Sequence, residues 1–187
     1  MLDEIENSIH ILTKGGIILY PTDTVWGIGC DATNLNAVKR IYKLKKRTEV
    51  KSMIVLVSDM DMLKEYVNNI PDITFDLIRS FERPTTIIYP EAKNIAKNLV
   101  GPDGSIAIRI TKDVFCKQLL TLFGKPIVST SANFSGDMTP LTFSMIKPEI
   151  IKLVDYVVKT EHEKMKQSRP STIIKLNKDG CYEVVRS

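Results

Sequence analysis

The stretch VWGIGCDATN, Val25 to Asn34, decides between two α/β architectures. Within it Gly27, Gly29 and Ala32 satisfy the dinucleotide-binding spacing G-x-G-x-x-[GA], and an apolar segment precedes them. In that fold the glycines turn directly into a helix whose N-terminus holds a pyrophosphate. Here Thr33 and Asn34 intervene, and Asn34 is a good N-cap for a helix over Leu35 to about Lys46. The glycines therefore fall inside a strand, where glycine marks close packing or a bulge. The dinucleotide reading is the lesser one, and it would require a helix beginning within GIGCDA.

Outward from this stretch, helices and short apolar strands alternate. Upstream, residues 3–14 read as an amphipathic helix with Ile5, Ile9 and Leu12 on one side, ended by Gly15-Gly16. IILY follows as a buried strand stopped by Pro21, with VWGIGC as its neighbour. Downstream, Leu35, Val38, Ile41 and Tyr42 form one helix face, and Lys39, Arg40, Lys43 and Lys46 the other. MIVLV, TTIIYP, SIAIRI, PIVST, YVVK, STIIKL and YEVVRS read as strands; helices are predicted near 59–68, 72–81, 112–123 and 142–153. In SIAIRI, Ser105, Ala107 and Arg109 share a face. The class is α/β, a sheet covered by helices, and residues 1–187 are expected to form one domain. The polar segment KTEHEKMKQSRPS (159–171) reads as a mobile surface loop.

Composition narrows the function. The 187 residues are 43% hydrophobic and 26% charged, with no apolar run long enough for a membrane helix and no signal-peptide pattern. Cys30, Cys116 and Cys181 are widely spaced, which suits buried free thiols in a reducing cytoplasm. With two histidines, His10 and His162, a Ser-His-Asp triad or a multi-histidine metal site is a poor fit, and no P-loop occurs. Net charge is +4, but KRIYKLKKRTEVK (39–51) carries seven basic residues against Glu49. A solvated helix face is the default for such a run; an anion or nucleic-acid site is the alternative.

Several stretches could handle anions. PTDTVWG (21–27) offers two threonines and an aspartate, KLKKR contains Lys45 and Arg47, and STSAN (129–133) places hydroxyls and an amide at a strand end. Arg109 lies in an apolar strand, where a guanidinium needs an anionic partner. RPSTII repeats the hydroxyl pattern, and Arg186 stands near the chain end in another apolar strand. Singly, each is better explained as turn or packing chemistry; together they suit a phosphate and carboxylate site built from loops. No nucleophile stands beside a base, so covalent catalysis is not indicated.

The ordered series YPTDTVWGIGCDA, KKR, SIAIRI, PIVSTSANFSG and RPSTII resembles the YrdC/TsaC family of threonylcarbamoyl-AMP synthases, from Tyr20 to Arg186. The resemblance is to the short bacterial form without a further C-terminal domain. It implies a twisted mixed parallel and antiparallel sheet, YrdC/RibB-like, with a concave basic cavity. It also implies formation of threonylcarbamoyl-adenylate and pyrophosphate from L-threonine, bicarbonate or CO2, and ATP. Other proteins would then transfer the threonylcarbamoyl group to adenosine in tRNA. The family's Lys-x-Arg and Ser-x-Asn residues fall on Lys45, Arg47, Ser131 and Asn133, and further ligand contacts on Thr24, Arg109, Ser129, Ser171 and Arg186. ATP is implied as substrate, with Mg2+ bound through its phosphates. An alternative carried by the same resemblance is a double-stranded RNA or tRNA binding module without synthase activity. The chain departs from the family pattern at Lys51-Ser52-Met53, at Glu82 to Thr86 and at Trp26, which bears on the cavity wall.

Overall fold

The computed structural model describes residues 1–46, 53–159, 170–177 and 179–187. Helix α1 (Leu2–Thr13) turns at Gly15, whose φ of +74° lies in the left-handed region that glycine adopts without steric cost. Strands β1 (Ile18–Tyr20) and β2 (Gly27–Gly29) then pair antiparallel, Ile18 opposite Gly29 and Tyr20 opposite Gly27. The glycines are thus strand residues. Asn34 caps α2 (Leu35–Leu44), its Oδ1 accepting from Asn36 N–H at 3.0 Å and Ala37 N–H at 3.1 Å. No helix starts within residues 27–32, and the dinucleotide reading falls with it.

The remaining elements follow in the anticipated order: β3 (Ile54–Val57), α3 (Met60–Tyr66), α4 (Ile73–Ser80), β4 (Thr85–Tyr89) and β5 (Ile106–Ile110). After these come α5 (Val114–Phe123), β6 (Ile127–Ser131), α6 (Pro148–Leu153), β7 (Tyr156–Val157), β8 (Thr172–Leu176) and β9 (Tyr182–Arg186). Among the described residues, nine strands form one mixed sheet ordered β7-β1-β2-β6-β3-β5-β4-β8-β9. β1/β7, β3/β5 and β4/β8 are the parallel pairs.

Period-two alternation divides two cores across the sheet. Leu19, Val55, Val57, Val128 and Ile108 pack with α2 and with Leu63 and Leu77 of α3 and α4. Their neighbours Ile18, Tyr20, Leu56 and Ile127 pack on the opposite side against Ile5 and Leu12 of α1 and Phe115, Leu119 and Leu120 of α5. Arg109 is the register partner of Leu56, and Ser129 that of Ile54, so these polar groups extend the face that α1 and α5 cover elsewhere.

Three expectations need correction. Leu35 is exposed at the first turn of α2, where Ala37 and Leu44 join Val38, Ile41 and Tyr42 in the core instead. The helix expected over 142–153 begins only at Pro148; Phe143–Met145 is a separate 3-10 turn, because Pro148 has no N–H to continue a helix and favours its first position. Cys30 and Cys116 are buried, but Cys181 is exposed beside the turn at Asp179-Gly180. YEVVR forms the expected strand, at the edge of the sheet beside β8 among the described residues, with all five of its residues exposed. The segment 160–169, which holds most of the expected surface loop, and residues 47–52 lie outside the described residues.

Candidate active site

The end of β6 organises the site. Ser131 closes the strand opposite Gly27, and the chain turns through Ala132 and Asn133. Asn133 Nδ2 donates to the Asp137 carbonyl at 2.7 Å, which fixes the amide and leaves its Oδ1 as an acceptor. That oxygen accepts from Ser131 Oγ at 2.6 Å and from Lys45 Nζ at 3.0 Å. Lys45 Nζ also donates to the Ser131 carbonyl. Lys45 is only 2% exposed, so the solvated-face reading fails for this member of the basic run. The reason is local. Helix α2 ends at Leu44, Lys46 adopts a φ of +52°, and the Lys45 carbonyl accepts the Ser135 N–H at 3.0 Å, docking the helix end on the β6 turn.

Beside this network lies a cavity of about 250 Å³ lined by Thr24, Arg109, Ser129, Ser131, Ser171 and Arg186, among others. Arg109 is 3% exposed. The anionic partner its burial demands is Asp23, whose Oδ1 lies 3.0 Å from Nη2. Nη2 also faces Thr24 Oγ1 at 3.4 Å, and Nε, fully buried, has no partner among the described residues. Arg186 grips the Ser171 carbonyl through Nε at 3.0 Å and Nη2 at 2.8 Å, drawing the end of β9 to the cavity rim. Ser171 Oγ in turn pairs with Thr86 Oγ1 at 2.8 Å. Burial, and after it the like charge of Arg109, lowers the Arg186 pKa from its ordinary value. Two guanidiniums thus face a common space in which no lining residue is a carboxylate, among those described.

Ser131, Asn133 and Lys45 therefore meet directly, and Thr24, Ser129, Ser131, Arg109, Ser171 and Arg186 share one cavity. Arg47 lies outside the described residues. Trp26 and Thr130, from two of the stretches singled out in the sequence, also line the cavity, whereas the role of Asp23 was not foreseen. Trp26 is 2% exposed and packs against Phe143, with ring centroids 5.0 Å apart. Asp23 could have been found: Arg109 needed an acid, and PTDT supplies one within the same group of stretches.

The described residues include no group of three or more His, Cys, Asp or Glu side chains placed to hold a metal ion. Hydroxyls, an amide, ammonium and guanidinium are donors for anion oxygens. The arrangement can bind a carboxylate and phosphates in adjacent positions and hold them without water-exposed carboxylates competing.

Comparison with known proteins identifies the family. The family model described as Telomere recombination, which represents Sua5, YciO and YrdC, matches residues 10–187. A threonylcarbamoyl-AMP synthase of Pseudoalteromonas translucida (strain TAC 125) is 38% identical over 169 residues, covering 89% of each chain. The protein of that name from Xanthomonas oryzae pv. oryzae (strain PXO99A) is 33% identical, covering 84% of this chain and 86% of its own. Escherichia coli YciO superposes with a TM-score of 0.83 at 27% identity, over 97% of this chain and 87% of its own. P. abyssi Sua5 complexed with L-threonine shares the fold at a TM-score of 0.83 and 24% identity; the match takes in 92% of this chain and half of the Sua5 chain. From the model match over residues 10–187 and the identity shared along most of its length, the chain belongs to the Sua5/YciO/YrdC family.

Proposed function

We propose that this protein is a threonylcarbamoyl-AMP synthase, a nucleotidyltransferase that consumes L-threonine, bicarbonate or CO2, and ATP. The observation that carries the reading is the junction of two anion sites: the Lys45–Asn133–Ser131 network and the two-arginine cavity meet at Ser131. The relatives named as synthases, at 33–38% identity over most of the chain, support it.

In this reading Arg109, with Thr24 and Ser171, holds the threonine carboxylates. Once the amine has been carboxylated, an oxygen of the N-carboxylate attacks the α-phosphorus of ATP; the new P–O bond forms as the bond to the bridging oxygen breaks, and pyrophosphate leaves. Two anions must meet, so the protein's contribution is alignment together with cations placed where charge accumulates. Lys45 and Arg47 serve the triphosphate, Lys45 as a point charge and Arg47 as a two-pronged donor. Ser131, Asn133 and Ser129 donate to phosphate or nucleotide oxygens. In the described structure Lys45 is engaged by Asn133 Oδ1 and the Ser131 carbonyl, so nucleotide binding exchanges these partners for phosphate oxygens. With no carboxylate lining the cavity among the described residues, Mg2+ would enter as part of the nucleotide substrate, held by phosphates and water. Arg186 shapes the rim and adds positive potential.

The test is mass-spectrometric detection of the adenylate, with pyrophosphate release measured as each substrate is withheld. Product is expected only when threonine, bicarbonate and ATP are all present. ATP turnover that ignores threonine would refute the assignment.

A second reading, tRNA or double-stranded RNA binding, draws on a different feature. A groove of about 910 Å³ between α2 and α6 is lined by Arg40, Lys43, Lys46 and Lys147, with Lys46 Nζ 4.9 Å from the Phe134 ring centroid. Arg40 and Lys147 are engaged by Asp155 and Asp137, and Glu149 also lines the groove, which reduces its positive potential. If RNA binding is the activity, affinity should fall steeply with salt and Lys43→Ala should weaken it, while threonine-dependent turnover is absent.

A further inference from the structure

Asp23 is a buried acid to which neither the family resemblance nor the reaction above gives a part. It sits in the loop between β1 and β2, its side chain 8% exposed. Its Oδ2 accepts the Lys112 N–H at 3.3 Å, just beyond the end of β5, and its Oδ1 lies 3.0 Å from Arg109 Nη2. That oxygen is off the N–H axis, so the contact is an ion pair without a completed hydrogen bond. Asp23 and Thr24 thereby both lie against the Arg109 Nη2, while the adjacent Nε is buried without a partner among the described residues. A buried N–H donor with no acceptor is costly, so the orientation of this guanidinium is set by its contacts at Nη2.

We propose that Asp23 is a positioning residue that holds Arg109 at Nη2 so that the guanidinium, at the cavity wall, meets a carboxylate of the amino-acid substrate. The proposal rests on the function proposed above. The guanidinium is rigid and planar, so holding Nη2 fixes the direction of its other donors. Asp23 itself does not line the cavity, and both its oxygens face the protein, so it does not reach the reacting atoms. A merely structural Asp23, tying the 21–26 loop to the end of β5, would lower stability without selecting among substrates.

The experiment is a double-mutant cycle on adenylate formation with Asp23→Asn, Arg109→Ala and the double variant, threonine and ATP being varied separately. Asp23→Asn keeps the shape and removes the charge. It should lower kcat/KM for threonine about tenfold, the scale of one misaligned charge-assisted hydrogen bond, and leave the ATP KM within about twofold. In the Arg109→Ala background the same change should add less than about twofold, because its effect passes through the arginine. Asp23→Asn with threonine kcat/KM unchanged, or with its full effect retained in the Arg109→Ala background, overturns the proposal. If Asp23→Asn fails to fold, Asp23→Ser decides: the shorter, uncharged side chain no longer holds the guanidinium. Loss of threonine kcat/KM by about threefold or more at constant ATP KM supports the proposal, and no loss overturns it. A wild type that forms no threonine-dependent adenylate overturns the proposed function and this role with it; an active wild type with an unresponsive Asp23→Asn overturns this role alone.

Discussion

Gly29→Ala separates a packing glycine from a phosphate-binding one. A Cβ at position 29 would lie 2.5 Å from the Val128 carbonyl oxygen, 2.7 Å from Tyr20 Cε1 and 2.9 Å from Ile127 Cγ2. Non-bonded carbons rest at roughly 3.5–4.0 Å, so all three contacts are deep overlaps. None of these neighbours can easily retreat. Val128 belongs to β6, paired on both edges, and the Tyr20 ring is 1% exposed with its hydroxyl donating to that same carbonyl at 3.2 Å. Overpacking typically costs about 1–3 kcal/mol, and three simultaneous overlaps, one with backbone, place this site at about 3. The alanine recovers about 0.4–1 kcal/mol by restricting the unfolded chain, leaving a net loss of about 2 kcal/mol. For a chain of this size that lowers Tm by roughly 4–8 °C. Thermal unfolding by circular dichroism measures it, alongside the ATP KM for adenylate formation. The expected result is a lower Tm with an unchanged ATP KM. Gly27→Ala is the counterpart: its Cβ would meet only side-chain atoms, Ser129 Oγ and Thr22 Cγ2 at 3.2 Å, and Gly27 lines the cavity. It should lose less stability than Gly29→Ala and more activity. A raised ATP KM in Gly29→Ala with Tm shifted by less than about 2 °C would refute the packing argument and revive the phosphate-binding one.

Two further predictions address the site and the scaffold. Lys45→Met keeps the buried stem and deletes the ammonium that Asn133 and Ser131 hold; adenylate formation should fall by about a hundredfold or more, and a loss within about threefold counts against Lys45 as a phosphate ligand. The Asp59 carboxylate caps α3, and the Met62 N–H, followed by the Ser58 hydroxyl, lowers its pKa from the ordinary 3.8. A lowered native pKa means that this stabilisation is complete above the unfolded value of 3.8 and is lost as pH falls through the native one. Asp59→Asn, a comparable cap without charge, should therefore trail the wild type by at most about 1 kcal/mol at neutral pH in urea unfolding, and the gap should close in acid. A gap independent of pH contradicts the assignment.

What sequence alone determined were the properties set by neighbours along the chain. The two-residue delay between Ala32 and the Asn34 cap placed Gly27 and Gly29 in a strand, and period-two and three-to-four spacing located the strands and most helices, because backbone geometry repeats at those intervals. The need of Arg109 for an acid was equally local, since a guanidinium in an apolar strand cannot stay unpaired. Which acid answers it was not: Asp23 is 86 positions away and reaches Arg109 only because the β1–β2 loop folds beside the end of β5. The inward turn of Lys45 also belongs to tertiary structure. A charge run reads as a solvated face until a helix ends, and the end of α2 is docked on the turn after β6, so the ammonium finds Asn133 and the Ser131 carbonyl instead of water. Hydroxyls and charges announce which ligand chemistry is possible; only the packing of strands far apart in order decides which of them face one another, because side-chain hydrogen bonds and ion pairs form at about 3 Å and carry no record in sequence distance.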